Sequence, residues 1–401
     1  MDDQILVINC GSSSVKMAIF SEQGEQLHSA LAERLGQSGA RLVPDQGEPV
    51  ALADNAGHRE ALETSIRWFR DQGYLDAPVA IGHRVVHGGE AFHGAALLDE
   101  RVIQAIEECS SLAPLHNPVN LAGIEAAREL YPGVPQVAVF DTAFHQTLPR
   151  HAWLYPVPRR FYDDWGVRRY GFHGTSHQYM AEQAADRLGK TVAQTSIIST
   201  HLGNGCSITA IRNGESVDTS MGLTPLEGLV MGTRSGDVDP GLFDFLAGKG
   251  IEADETHRLL NRESGLLGLS GTTSDMRNLL READAGNQDC QDAFEVFCFR
   301  LARYIGAMMV SLETLDALVF TGGIGENSDR VRARTLEHLI LPGFVMDETA
   351  NRDHGRDTNG RIDAPESRFA ILVIPTREEA VIAREAATVA AERARDKNMS
   401  N

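Results

Sequence analysis

The sequence predicts a mixed α/β protein made of two duplicated domains, and three observations carry that prediction. An apolar run, a turn of small residues and a second apolar run open the chain, at residues 5–8, 9–14 and 15–20. The pattern returns at 197–200, 201–205 and 208–211, where Gly203 matches Gly11 and Ala210-Ile211 matches Ala18-Ile19 at one constant offset of 192 residues. Between and after the two copies, strand-like and helix-like segments alternate, as they do where parallel strands are joined through helices.

Each copy reads as a β-hairpin, because two short apolar runs flank a turn of Gly, Ser and Asn. A polar turn follows each, Glu22-Gln23-Gly24-Glu25 and Arg212-Asn213-Gly214-Glu215. Chance likeness of two hairpins is the alternative to duplication. Residues 51–71 have helical periodicity, 77–81 are strand-like, 99–110 and 121–130 are helical, and 136–140 form a buried strand. Pro149 and Pro158 bracket the expected domain boundary. A long apolar-rich helix at 292–313 feeds a strand at 317–320 that ends in Thr321-Gly322-Gly323-Ile324-Gly325. The last strand, 369–374, leads into a helix from about Glu378, where Thr376 and Glu379 fit the N-cap and N3 positions of a capping box. That helix is expected to return to the N-terminal domain.

Composition limits the partners. The 401 residues, 42% hydrophobic and 23% charged, suit a soluble globular chain with an ample core in each of two domains. The opening MDDQILVINC has no basic segment of the kind that starts a secretory signal, and no apolar run approaches the roughly 18 residues a membrane span needs. A cytoplasmic location is therefore expected. Five cysteines without a C-x-x-C pair argue against a disulfide framework or structural zinc. The formal net charge of −19 disfavours nucleic acid and anionic membrane as partners. Any site for phosphate or carboxylate must then be a local island of arginine, magnesium and backbone N–H groups.

Three glycine-rich turns stand at predicted strand ends: Gly11-Ser12-Ser13-Ser14, His201-Leu202-Gly203-Asn204-Gly205 and Gly322-Gly323-Ile324-Gly325-Glu326-Asn327. Consecutive N–H groups in such turns can converge on phosphate oxygens. Each alone reads first as a tight turn, and none matches the Walker or dinucleotide fingerprints. Three together in two repeated halves point to a nucleotide cleft between domains. Two further loops frame an arginine with small residues, Gly82-His83-Arg84-Val85-Val86-His87-Gly88-Gly89-Glu90 and Met231-Gly232-Thr233-Arg234-Ser235-Gly236-Asp237. Such an arginine is placed to offer its planar fork to carboxylate or phosphate, with plain surface exposure as the alternative.

Nine of the fourteen histidines lie between His83 and His201. His173 and His177 have the spacing of zinc ligands on one helical face, but the segment lacks the H-E-x-x-H glutamate, so a histidine donating to developing anionic charge is the better reading. Asp141 ends the strand at 136–140, where open α/β sheets carry catalytic side chains, or else it caps the next element. Glu378, beside the capping glutamate, can face a cleft. Magnesium needs only one or two protein oxygens when phosphates supply the rest.

Taken together, NCGSSSVK, GHRVVHGGE, APLHNP, VFDTAFH, YGFHGTSH, THLGNG, MGTRSGDVDP, TGGIGEN and IPTREE resemble the acetate kinase (acetokinase) family, in order and essentially end to end. The resemblance implies two duplicated domains of the actin-like ATPase (ribonuclease H-like) type, with the active site in the interdomain cleft. It divides the chain into 1–148 plus 380–401, closed by the C-terminal helix, and 149–379, the nucleotide-binding and dimerisation domain of a homodimer. It also implies reversible, Mg2+-dependent (Mn2+ possible) transfer of the ATP γ-phosphoryl group to acetate, giving acetyl phosphate and ADP. Carried over by residue, Asn9 and Glu378 would hold the metal, and Arg84, Asp141, His173 and Arg234 would serve catalysis. His116 stands nearby, and Val86, Leu115, Phe172 and Pro225 would line a small pocket for the methyl group. Nucleotide contacts would be Lys16, the run His201, Leu202, Gly203, Asn204 and Gly205, the run Asp275, Met276 and Arg277, and Gly323, Ile324, Gly325, Glu326 and Asn327. Arg377 departs from the family's usual asparagine and is expected to point outward.

A small carboxylic acid with a pKa near 4–5 is already a nucleophile at neutral pH, so direct in-line transfer needs positioning and charge stabilisation more than a base. On that ground Asp141 is expected to orient an arginine or a metal-bound water and not to act as a base. A propionate or butyrate kinase is the alternative by substrate, and a non-catalytic ATPase-fold module the alternative by class.

Overall fold

A computed structural model describes residues 3–11, 13–114 and 116–399. The chain divides into two compact units, 1–146 with 377–401 and 147–376.

In the first unit the opening hairpin forms as β1 (Gln4–Gly11) and β2 (Ser14–Ser21), paired antiparallel from Gln4↔Ser21 to Gly11↔Ser14. Three more strands build the sheet outward, β3 (Gln26–Glu33), β4 (Arg41–Pro44) and β5 (Val50–Ala51), and helix α1 (His58–Asp71) follows them. The helix starts later than its periodicity suggests, because Val50 and Ala51 pair with β4 and Asn55 takes a positive φ before it. Next come β6 (Ala80–Val85), β7 (Ala96–Leu97), α2 (Glu100–Glu108), α3 (Asn117–Leu130) and β8 (Gln136–Phe140). The sheet order is β5-β4-β3-β2-β1-β6-β8-β7, with β1, β6 and β8 parallel.

Both faces of this sheet are covered, which is why β1 reads as a continuous apolar run. Leu6, Ile8 and Cys10 pack with Leu62, Ile66 and Phe69 of α1, whereas Ile5 and Val7 meet Ile382, Ala383 and Ala386 of the C-terminal helix, Glu378–Met399. Gly82 permits the close approach of that helix: a Cβ there would stand 2.7 Å from Ile382 Cγ2. The capping box expected at 376–379 is not what forms. Thr376 Oγ1 bonds Ser176 Oγ at 3.1 Å, Glu379 pairs with Lys16 Nζ at 2.6 Å, and the first-turn amides of Ala380 and Val381 reach the Arg377 carbonyl.

The second unit repeats the plan. After α4 (Gly174–Leu188), β9 (Ile197–Leu202) and β10 (Cys206–Arg212) form the second hairpin, pairing from Leu202↔Cys206 to Ile197↔Ile211. They are followed by β11 (Glu215–Thr219), α5 (Met276–Asp284), α6 (Gln288–Met308), β12 (Ala317–Thr321), α7 (Gly322–Asn327), α8 (Asp329–Glu337) and β13 (Ala370–Val373). The order β11-β10-β9-β12-β13 matches β3-β2-β1-β6-β8 strand for strand, with the last three strands parallel in each. The duplication therefore extends from sequence to topology. Among the described residues no helix is long and apolar enough to cross a membrane.

Candidate functional site

In the first unit, Asn9, Arg84 and Asp141 stand at the carboxyl ends of the parallel strands β1, β6 and β8, where open α/β sheets place ligand-binding groups. Asp141 is 1% exposed and accepts two charge-assisted bonds from Arg84, Nε to Oδ1 at 2.9 Å and Nη2 to Oδ2 at 2.7 Å. Arg84 Nη1 lies 3.5 Å from Asn9 Oδ1. Burial works against the guanidinium, but Asp141, Glu378 and Glu379 outweigh it and raise the Arg84 pKa, so the side chain stays charged.

The loop after β6 is nailed down by two buried asparagines of α3 that sequence reasoning did not single out. Asn120 Oδ1 accepts the Val86 amide at 3.1 Å and Asn117 Oδ1 the His87 amide at 3.1 Å, while their Nδ2 groups return to the Cys10 and His87 carbonyls. Asn117 lies in the short segment APLHNP, whose His116 is the N-cap of α3, while Asn120 falls just beyond it and carried no signal. Leu115 lies outside the described residues. His83 and His87 are structural: burial lowers each pKa to about 4.

Asn9 and Glu378 both stand near the Arg84 guanidinium, one by contact and the other by charge. An amide oxygen and a carboxylate are hard oxygen donors of the type Mg2+ takes, and phosphates and water would complete such a set. Among the described residues no group of three or more His, Cys, Asp and Glu side chains could hold a metal by itself. Arg377 is exposed and has no side-chain partner among the described residues. Lys16 is paired with Glu379 in this unit.

In the second unit, three motifs converge. Gly171 at φ 78° and His173 at φ 57° turn the chain so that α4 starts at Gly174 beneath the His173 ring. That ring lies 4.4 Å from the His201 ring and sets Nδ1 2.9 Å from Ser207 Oγ on β10. Phe172 beside it is 1% exposed. The arginine loop is clamped by main-chain bonds: the Leu266, Leu267 and Ser264 amides reach the Met231, Gly232 and Thr233 carbonyls, and the Gly232 amide reaches Asn204 O. Gly265, at φ 63°, allows this contact, since a Cβ there would fall 2.2 Å from Met231 O. Arg234 Nη1 donates to Pro225 O at 2.9 Å. A Cβ on Gly205 would stand 3.5 Å from His173 Cε1, 3.6 Å from His173 Nε2 and 3.6 Å from Arg234 Nη1. The glycine thus keeps open a small space faced by the His173 Nε2 atom and the Arg234 guanidinium.

Next along the THLGNG turn lies a cavity of about 530 Å³. Gly203 and Asn204 line it, with Asp275, Met276 and Arg277 at the start of α5 and Gly323, Ile324 and Asn327 of α7. Its size is that of small-molecule sites. Asp275 also caps α5, accepting the Arg277 and Asn278 amides. The segment Gly322–Asn327, expected as a turn, is a short helix. Glu326 and Gly325 do not line the cavity. Glu326 Oε1 accepts the Gly322 and Thr376 amides, and Gly325 packs against Phe320 and Leu202. His201 and Leu202 are buried behind the turn.

Sequence reasoning missed Ser274, Leu280, Ser328 and Asp329 of the lining. It also missed Arg332, which is fully buried and donates to the Gly325 and Glu326 carbonyls at the C-terminal end of α7, to Asn351 and to His354 Nδ1. Burial lowers its pKa to about 10, and no carboxylate lies at ion-pair distance among the described residues. It braces the cavity wall from behind, as cations do at helix C-termini.

Comparison with known proteins places this geometry. The profile of the Acetokinase family matches residues 4–384. The acetate kinase of Ectopseudomonas mendocina is 53% identical over 385 residues, 94% of this chain and 97% of that protein. The acetate kinase of Natranaerobius thermophilus is 49% identical over 393 residues, 96% and 98% of the two chains. Among solved structures, a propionate kinase from Francisella tularensis superimposes with a TM-score of 0.92 at 41% identity, covering 96% of this chain and 100% of that one. Porphyromonas gingivalis acetate kinase gives 0.89 at 42% identity over 96% and 99%. With a family profile and relatives of about half identity both spanning nearly the whole length, the chain belongs to the acetokinase family.

Proposed function

We propose that the protein is an acetate kinase, transferring the γ-phosphoryl group of ATP to acetate, reversibly, to give acetyl phosphate and ADP. The observation that supports it most is the pair of donors, His173 Nε2 and Arg234 Nη1, facing the space that Gly205 leaves open at the end of the glycine turn. A non-catalytic module of the same fold needs neither group. The neighbouring cavity takes the nucleotide, with Asn204 and Asn327 as polar contacts and Ile324 and Met276 as apolar walls.

The acetate carboxylate attacks the γ-phosphorus directly. The phosphorus–oxygen bond to acetate forms as the bond to the ADP oxygen breaks, and no proton need move. Arg234 and His173 donate to the equatorial oxygens of the transferring group, and Arg84 holds anionic substrate while Asp141 fixes its fork. Asn9 and Glu378 would hold Mg2+ (or Mn2+), which would supply positive charge to offset the negative charge of the nucleotide phosphates. Lys16 adds a cation whose present partner is Glu379. The family resemblance assigns the methyl group to Val86 of the first unit and to Phe172 and Pro225 of the second, with Leu115 outside the described residues. The family resemblance adds a homodimer, for which exposed Phe245, Phe299 and Val310 of the second unit supply apolar surface, and a cytoplasmic setting.

A propionate kinase is the second reading, favoured by the likeness to the Francisella tularensis enzyme. One methylene changes discrimination by only about 1–3 kcal/mol. Mg-ATP-dependent ADP formation with acetate, propionate and butyrate at matched concentrations separates the readings, with a control lacking carboxylate. Preference for acetate with little turnover in the control is expected. Better turnover of propionate moves the substrate to the second reading, and turnover independent of carboxylate overturns both.

A further inference from the structure

Behind His173 runs a buried line of hydrogen bonds. Ser199 Oγ of β9 lies 2.9 Å from His177 Nδ1, His177 Nε2 lies 2.8 Å from Ser207 Oγ, and Ser207 Oγ lies 2.9 Å from His173 Nδ1. Ser199, His177 and Ser207 are each 0% exposed. A hydroxyl carries one hydrogen, and so does each neutral imidazole. The line can therefore be polarised in only two ways, from Ser199 toward His173 or the reverse.

The far end decides between them. Among the described residues, Ser199 Oγ has one hydrogen-bond partner, His177 Nδ1. If protons pointed from His173 toward Ser199, the serine hydroxyl would accept from His177 and leave its own hydrogen buried without an acceptor. Leaving a buried donor unmade is the expensive fault. In the other direction Ser199 donates to His177 Nδ1, His177 Nε2–H donates to Ser207 Oγ, and Ser207 donates to His173 Nδ1. Only lone pairs then lack partners, a cheaper shortfall. With Nδ1 accepting, the His173 proton sits on Nε2, the atom beside Gly205 and Arg234.

We infer that Ser199, His177 and Ser207 are positioning residues whose one-way line of hydrogen bonds holds His173 as the neutral Nε2–H tautomer, a donor to anionic substrate. This rests on the reading that His173 donates to the transferring phosphoryl group. Ser207 orients the ring and His177 keeps the Ser207 hydroxyl pointed at it. Partners of this kind are often worth about 10- to 100-fold in activity.

The test joins a spectroscopic and a kinetic readout on the full chain. In 15N-histidine-labelled protein at neutral pH, His173, assigned with H173N, is expected to show a protonated Nε2 and an unprotonated Nδ1. S207A and, less strongly, S199A are expected to redistribute that proton. S207A is expected to lower kcat about 10- to 100-fold with KM values nearly unchanged, and to cost nothing further in the H173A background. A His173 protonated on Nδ1 in the wild type, in a neutral or doubly protonated ring, overturns the inference, as does an S207A loss that persists in full without His173. An H173A enzyme of undiminished kcat overturns instead the reading of His173 as a phosphoryl donor, and the tautomer measurement still decides the polarity.

Discussion

Replacing Arg234 by alanine is expected to lower kcat by about 1,000-fold or more while changing ATP affinity by less than about threefold. The expectation follows from where the guanidinium stands. Its loop is bound main chain to main chain by residues 264–267, so the side chain is presented from a rigid frame. Nη1 lies beside the Gly205 space and outside the lining of the nucleotide cavity. Its charge is therefore assigned to the transferring group, where negative charge grows in the transition state, and binding in the ground state gains little from it. Arg234→Lys should not restore the rate, because a point charge cannot reproduce a planar fork fixed against the Pro225 carbonyl. Steady-state ADP release together with equilibrium binding of ATP to the variant checks both halves. An unchanged kcat, or a loss confined to ATP affinity, removes Arg234 from the chemistry.

The second large effect concerns Asp141. Both of its oxygens are committed to Arg84, so Asp141→Asn would turn an amide N–H against a guanidinium N–H and leave a half-buried cation with poorer compensation. Breaking one partner of a buried pair costs about 3–5 kcal/mol, and the thermal transition should fall accordingly. The kinetic expectation is sharper. D141N and R84A should each lower kcat by at least about 100-fold, and the double variant should be no slower than the slower single, because both remove the same oriented fork. A general base acting independently of Arg84 would give a double variant whose losses multiply. That outcome would return Asp141 to proton transfer and remove the orienting role argued for it.

What the sequence made legible were the elements whose pattern is local. The hairpins β1–β2 and β9–β10 were readable because their apolar runs and small-residue turns carry the whole signal, although their registers differ by one residue: Gly11 faces Ser14, whereas Leu202, and not Gly203, faces Cys206. Strand β8 is apolar on both faces and was read to its true ends, as was the start of the C-terminal helix at Glu378. Edge strands were another matter. Residues 41–44 and 50–51 owe their structure to neighbours across the sheet, and α1 is shortened for the same reason.

The site divided along similar lines. Arginines and histidines in glycine-framed loops announced themselves by residue type. Asn117, Asn120, Ser207 and Arg332 did not, since a buried amide or serine looks the same in sequence whether it braces a loop or merely caps a helix. Glu326 was assigned to the nucleotide from its motif, yet its carboxylate is occupied by main-chain amides of Gly322 and Thr376. The Gly322 turn closes into a helix because those amides and the Arg332 bonds satisfy its ends, none of which a local pattern reveals.

The central claim is that a carboxylate oxygen attacks the γ-phosphorus in one displacement, with arginine and histidine supplying charge and no phosphorylated side chain intervening. The most direct measurement is the configuration at phosphorus when ATP made chiral at the γ-phosphoryl group with oxygen isotopes is turned over with acetate. A single in-line transfer inverts that centre, and the account predicts inversion in the acetyl phosphate formed. Retention would mean two successive transfers through a group on the protein and would contradict it.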